Sequence, residues 1–267
     1  MDVATLSAAY EERVRALFGG ELPKELRLAG RLAPEQWTLE WHLPWWVGRA
    51  LGLDEGTAEE LALANVLGVV AIRLRDDAAD GELAGTDPGR AADLSARLLD
   101  AALEPYHSRL AADSPFWPSL ERWLADATPG APLKAAMYGV CLLADRPAAW
   151  PELEQCLDHA LAALVLYDHA VDWEADLPAG RPNHFAAHLG AGTADDVAVA
   201  LMAGDRSAGY FERIESELAQ ASALADALGV GDLAGHLRAL SARLRSDGLA
   251  LQAHYSAVGD RAAVLFS

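Results

Sequence analysis

Cysteine is scarce in this chain, and the two present, Cys141 and Cys156, fall in no CxxC or CxxH spacing that would hold zinc or form a redox pair. Both read as small core residues. Basic side chains are few as well: 21 Lys and Arg stand against 40 Asp and Glu, a formal charge of −19. The cations are scattered, and because phosphate neutralisation needs clustered Lys and Arg, a nucleic-acid partner is excluded. No apolar run is long. The longest, Leu61 to Ile72, is about half of the roughly 20 residues a membrane span needs. The opening MDVATLSAAYEERVRALF has neither the basic start nor the apolar stretch of a signal peptide, so a cytoplasmic protein is expected. A P-loop, a nucleophile elbow and a GxGxxG after a strand are also missing, which removes nucleotide-fold and hydrolase readings.

What is abundant is alanine and leucine, within a hydrophobic fraction of 52% that easily supplies a core. β-Branched runs are almost absent, and apolar residues recur at three- and four-residue spacing between Pro/Gly breaks, which is the helical period. The spacing predicts an all-α protein with helices near 3–18, 34–51, 56–80, 88–112, 115–127, 131–145, 148–177, 194–204, 206–228, 231–247 and 249–257. None of the intervening turns is long enough for an interdomain linker, so a single domain, 1–267, built from packed helices is expected.

Two acidic clusters break the pattern. The segment from Leu61 to Asp80 is apolar almost all round and then ends in Asp76-Asp77-Ala78-Ala79-Asp80. Asp76 and Asp80 share a face, one turn apart, with Asp77 beside them. Carboxylates at a helix C-terminus oppose the macrodipole, at about 0.3–1 kcal/mol each. The second cluster is Asp168, Asp172 and Asp176, at successive four-residue steps within Glu152 to Asp176. It continues the stripe of Leu157, Leu161 and Leu164, so acids stand where the apolar face should go on. Such repulsion on otherwise apolar helices points to arriving cations, and hard oxygen ligands suit Mg²⁺ held together with a substrate phosphate.

With both clusters in view, the chain resembles the class I isoprenoid synthases, the all-α family of terpene cyclases, trans-prenyl diphosphate synthases and squalene/phytoene synthases. Asp76-Asp77-x-x-Asp80 looks like the family's first aspartate-rich motif, and Asp168, Asp172 and Asp176 match the i, i+4, i+8 spacing of the cyclases' second motif. Gly180-Arg181 is similar to the Gly-Arg that follows the squalene/phytoene version. The likeness covers about residues 60–185. It implies a helical bundle of that type and a terpene cyclase that ionises an allylic prenyl diphosphate to a carbocation. It also implies Mg²⁺, with three ions bound alongside the diphosphate on Asp76, Asp80, Asp168, Asp172 and Asp176, and Asp77 in the catalytic set. Arg73, Arg122, Lys134 and Arg181 become diphosphate-binding candidates, and Trp37, Trp41, Trp45, Tyr138 and Tyr167 candidates for the cavity wall, with Phe116, Trp117 and Trp123 behind them.

The chain departs from the family pattern in places. Only 92 positions separate Asp76 from Asp168, His169 stands where chain-elongating synthases carry a second aspartate, and His254-Tyr255 is the nearest echo of a C-terminal Arg-Tyr pair. A squalene/phytoene-type or other prenyltransferase joining two diphosphates is therefore the alternative, and a non-enzymatic acidic interaction protein the lesser one. A di-iron bundle needs two Glu-x-x-His pairs, and only Glu104-Pro-Tyr-His107 has the form. The oligomeric state stays open, a homodimer included.

Overall fold

The structure is a computed structural model that describes residues 3–26, 39–79, 81, 87–126, 130–203 and 206–265, apart from the side chains of Val3, Glu40 and residues 259–265. Among the described residues every regular element is helical, as expected. The order is α1 (Val3–Leu17), α2 (Leu39–Leu51), α3 (Glu55–Ala79), α4 (Pro88–His107), α5 (Phe116–Ala125), α6 (Ala131–Leu143), α7 (Trp150–Asp176), α8 (His184–Leu189), α9 (Ala194–Met202), α10 (Ala208–Ala227) and α11 (Gly231–Leu265). Single 3₁₀ turns lie at Lys24–Leu26 and Pro147–Ala149. Where the sequence suggests one domain, the helices gather into two compact units, Met1–Pro151 and Glu152–Ser267.

In the first unit α3 is the central helix, packed against α2 and α4. It begins where Asp54 offers both carboxylate oxygens to Thr57, one to its backbone N–H at 3.0 Å and one to its hydroxyl at 2.7 Å. These bonds satisfy a donor that the first helical turn cannot, and they hold the Asp54 carboxyl below its usual range. α4 starts on Asp87, whose side chain accepts from the Gly89 N–H, with Pro88 at the first position, where a missing N–H costs nothing. The core between them is aliphatic and aromatic: Tyr10, Val14, Leu26, Trp41, Val66, Val70 and Leu98 are all nearly inaccessible. The Ser95 hydroxyl of α4 donates to the Ala71 carbonyl of α3 at 2.8 Å, which satisfies a buried group and pins the register of the pair. No helix among the described residues is long and apolar enough to cross a membrane.

In the second unit α10 packs against α11, α9 packs on α11 and α8 on α9, while α7 is tied to α10 and α11 by side-chain hydrogen bonds. The Tyr210 hydroxyl donates to the Leu166 carbonyl at 2.9 Å and Cys156 Sγ to the Ala221 carbonyl at 3.2 Å, so α10 runs antiparallel to α7. Arg245 pairs with Glu215, and Arg238 with Asp226, which sets α11 antiparallel to α10. Tyr167 then meets Asp247, and Glu174 meets Tyr255, in the same chain direction, so α7 and α11 are parallel. α9 opens with a reciprocal capping box between Thr193 and Asp196.

Two differences from the sequence expectation have physical causes. The break expected near residue 248 is absent, and α11 is continuous. Gly248 is there for close approach: a Cβ on it would lie 2.6 Å from the Phe211 ring. The second difference is α8, six residues with no long apolar period of their own, which exists because Asn183 caps it by accepting from the Ala186 N–H at 3.0 Å.

Candidate active-site elements on α3 and α7

The first acidic cluster lies in the first unit and the second in the second, and each is described within its own. On α3 the carboxylates follow a wall. Asn65, Gly68, Val69 and Ile72 line a small apolar pocket of about 60 Å³, partly open to solvent, which is completed by α4, α5 and α6. Residues 65, 68, 69, 72 and 76 fall on one helical face, so Asp76 sits on the pocket face one turn beyond Ile72. Its side chain is 63% exposed, and Arg75 Nε lies 3.9 Å from it, an exposed pair that contributes little. Asp77 and Arg73 are half-buried on the same last turns. Asp80 lies outside the described residues.

The rest of the pocket is built by long-range packing. Tyr106 of α4 and Phe116 of α5 both line it and stack at 4.8 Å between centroids, 15° from parallel. They approach because α6 carries Gly139 opposite them: a Cβ there would fall 2.3 Å from Tyr106 and 2.9 Å from Phe116. The Tyr106 hydroxyl reaches only the Ala136 carbonyl, at 3.4 Å, and burial pushes the phenol upward, so this ring is neutral in any working buffer. Ala64, Ala102, Ala135 and Ala136 keep the remaining walls small.

Of the aromatic residues singled out by the sequence, Phe116 lines the pocket, while the first-named candidates go elsewhere. Trp41 is buried and Trp45 half-buried, both within the core formed by α1, α3 and α4, and both indole N–H groups are buried without an acceptor. Tyr138 joins Trp123 and Trp150 in a cluster with centroids 5.3–5.8 Å apart. Tyr167 donates to Asp247 at 2.8 Å, which together with burial pushes its phenol up to about 12. None of these four is in the lining of the pocket just described, and Trp37 lies outside the described residues. Among the cation candidates, Arg122 is exposed and holds its guanidinium 4.8 Å over the Trp123 ring. Lys134 is half-buried on α6 between the pocket-lining Leu133 and Ala135.

On α7 the three aspartates part ways. Asp168 and Asp172 are exposed on one face, together with Val171, which is 55% exposed. The same angular face is closed further up the helix by Leu153, Leu157 and Leu164. Partial desolvation raises the Asp168 carboxyl above the ordinary range, and the Asp172 charge one turn away adds to that. Asp176 is turned inward, with 11% of its side chain accessible. One carboxylate oxygen accepts from Asn183 Nδ2 at 2.9 Å, and the other faces Arg181 Nε at 3.2 Å. Asn183 also donates to the His169 carbonyl at 2.9 Å while it caps α8, so Asp176 and Asn183 form the buried tie of the α7–α8 corner, with Arg181 pairing to it from the surface. His169 completes that corner, its Nδ1 accepting the His184 N–H at 3.1 Å.

Among the described residues no three His, Cys, Asp or Glu side chains form a ready-made metal group. Exposed carboxylates are Asp168 and Asp172 on α7 in the second unit and Asp76 on α3 in the first. One or two carboxylates in either unit suit an ion that fills its shell with water and phosphate oxygens, as Mg²⁺ does, and do not suit one that needs a protein cage. The residues that sequence reasoning missed are Tyr106 as a wall and Asn183 as a tie. Only the Asn before an apolar helical segment gave a local signal, that of an N-cap. No protein-family model, curated protein or solved structure matches the chain.

Proposed function

We propose that this protein is a Mg²⁺-dependent enzyme of the class I terpene cyclase kind, which ionises an allylic prenyl diphosphate and cyclises the resulting cation. One observation carries the reading: the apolar pocket of the first unit shares its α3 wall with Asp76, so an oil-lined cavity and a carboxylate face run along one helix. A ligand with a hydrocarbon body and a polyanionic head has that division. The head reaches acidic side chains only through cations, which is why the acids and the metal requirement come together.

The candidate Mg²⁺ ligands are Asp76 in the first unit and, taken separately, Asp168 and Asp172 in the second; Mg²⁺ bound with diphosphate would neutralise the charge growing on the leaving group. Arg73 and Lys134 supply further positive charge close to the pocket helices. Leu99, Leu103, Leu120 and Leu133 exclude water that would quench a cation, and the faces of Tyr106 and Phe116 stabilise it by about 0.5–2 kcal/mol each.

The test is incubation with geranyl, farnesyl and geranylgeranyl diphosphate and Mg²⁺, with products read by mass spectrometry. Hydrocarbon or alcohol of unchanged carbon number is expected; doubled carbon number would instead identify a condensing enzyme. Asp76→Asn and Asp172→Asn, one substitution in each unit, should each lower kcat at least about 100-fold with the thermal midpoint kept. Full activity in both variants, or no turnover of any of the three substrates, rejects the proposal in favour of an acidic interaction protein.

A further inference from the structure

We infer that the second unit carries a binding site for a small neutral aromatic alcohol, seated between α10 and α11 with its hydroxyl on Ser207. The site uses no aspartate, metal or diphosphate of the cyclase reading, so either can hold without the other.

A cavity of about 200 Å³ opens between the start of α10 and the middle of α11, with Ser207 at one end and the Glu215–Arg245 pair about two turns further along. An apolar cavity of about 150 Å³ is enough for one benzene ring. One ring with a short arm therefore fits. Phe211 supplies the wall. Gly248 crosses its ring so closely that a Cβ would lie 2.6 Å away, and Phe185 meets it edge-on with centroids 6.3 Å apart. Held by both neighbours, the ring is fixed before any guest arrives, and an aromatic guest gains an offset or edge contact with it.

Ser207 assigns the head group. It is 1% exposed and lines the cavity, yet among the described residues its hydroxyl has no hydrogen-bond partner. Buried hydroxyls are as a rule bonded. Asp54, Asn183 and Thr193 are each used to satisfy the first turn of a helix, whereas Ser207, at the start of α10, has helical backbone angles, φ −82° and ψ −19°, and makes no cap bond. Its donor and acceptor are both left for a guest. Charge decides against an ionised one. The ionisable lining residues are Glu212, Glu215 and Arg245, and Arg245 is already spent on Glu215, through Nε to Oε1 at 2.7 Å and through Nη2 to Oε2. An anion would meet two carboxylates, and a cation would meet the guanidinium and the positive pole of α10, about half an elementary charge.

The probe is benzyl alcohol, titrated into the full chain without Mg²⁺ or diphosphate and followed by ligand-observed NMR beside toluene, cyclohexylmethanol, benzoate and protonated benzylamine. Benzyl alcohol should bind at least about tenfold more tightly than either charged analogue and about threefold more tightly than cyclohexylmethanol. Ser207→Ala should weaken benzyl alcohol about fivefold and leave toluene within about twofold, because only the alcohol loses a hydrogen bond. Ser216→Ala, at an exposed serine of the same helix, should change neither. Ala208→Leu fills the cavity from α10 and should remove both ligands; if that variant does not fold, Leu249→Trp closes the cavity from its 61% exposed rim and is read in the same way. The inference is overturned by no binding of benzyl alcohol, by equal binding in Ser207→Ala and the parent, or by binding that survives the blocking variant. Tighter binding of a charged analogue, or cyclohexylmethanol held as tightly as benzyl alcohol, overturns it as well.

Discussion

The acidic ends of α3 and α7 have the same sequence logic and different physical states. On α3 the carboxylate of Asp76 is 63% exposed on the face that carries an apolar pocket, paired at 3.9 Å with an exposed Arg75. On α7 the charge is divided. Asp168 and Asp172 remain exposed and repel each other, while Asp176 has been drawn into the α7–α8 corner and neutralised by Arg181 and Asn183. An acidic residue at helical spacing is thus a candidate ligand when its partners are absent and a structural strut when they are supplied by the next turn of chain. Spacing alone does not separate the two.

The sharpest way to break this contrast is to remove the strut. Asp176→Ala removes the buried acceptor of the Asn183 amide, so a loss of about 1–2 kcal/mol is expected, read by denaturant unfolding, with the exposed Arg181 contributing little. Asp76→Ala should shift the same midpoint by less than about 0.5 kcal/mol, as for any exposed side chain without a structural partner. Comparable losses in the two variants would erase the distinction.

A smaller effect sharpens the repulsion on α7. Because the folded-state carboxyl of Asp168 titrates above its unfolded value, its ionised form penalises the folded protein. That penalty is absent below the unfolded value near 3.9 and complete once pH has risen through the folded one. Asp168→Asn should accordingly raise the thermal midpoint of the unliganded protein at neutral pH, and the advantage should disappear on acidification to below about pH 4. The same substitution should impair turnover, so stability and activity move in opposite directions. A variant less stable than the parent at pH 7 and equal to it at pH 3 would reverse the sign and remove the argument. The smallest expected change is that of Arg75→Ala, below about 0.5 kcal/mol, because its pair with Asp76 is long and solvated.

Much of the fold is legible in the residues. Helix starts at Glu55, Pro88 and Ala194 follow from Asp54, Asp87 and Thr193, whose side chains satisfy local N–H groups over two or three residues. The acidic stripes are legible for the same reason, since spacing along a helix fixes a shared face. The interruption expected at Gly248 was misjudged because glycine weakens a helix in isolation, and what holds α11 together there is Phe211, 37 positions earlier. The tryptophans were misleading in a similar way. Trp41 and Trp45 form a stripe of helical spacing, but a stripe does not say which helices will cover it, and here α1, α3 and α4 enclose it as core.

What the residues determined by themselves is the local part: all-helical elements, their caps, and two faces crowded with like charge, because those depend on neighbours within one or two turns. Tertiary structure decided which aspartate became a strut, which aromatic rings became cavity walls, and why two helices carry a glycine in mid-run. Tyr106, Phe116 and Gly139 come from three helices and meet only on packing, and a cavity is a property of the space left between elements, which no single stretch of chain encodes.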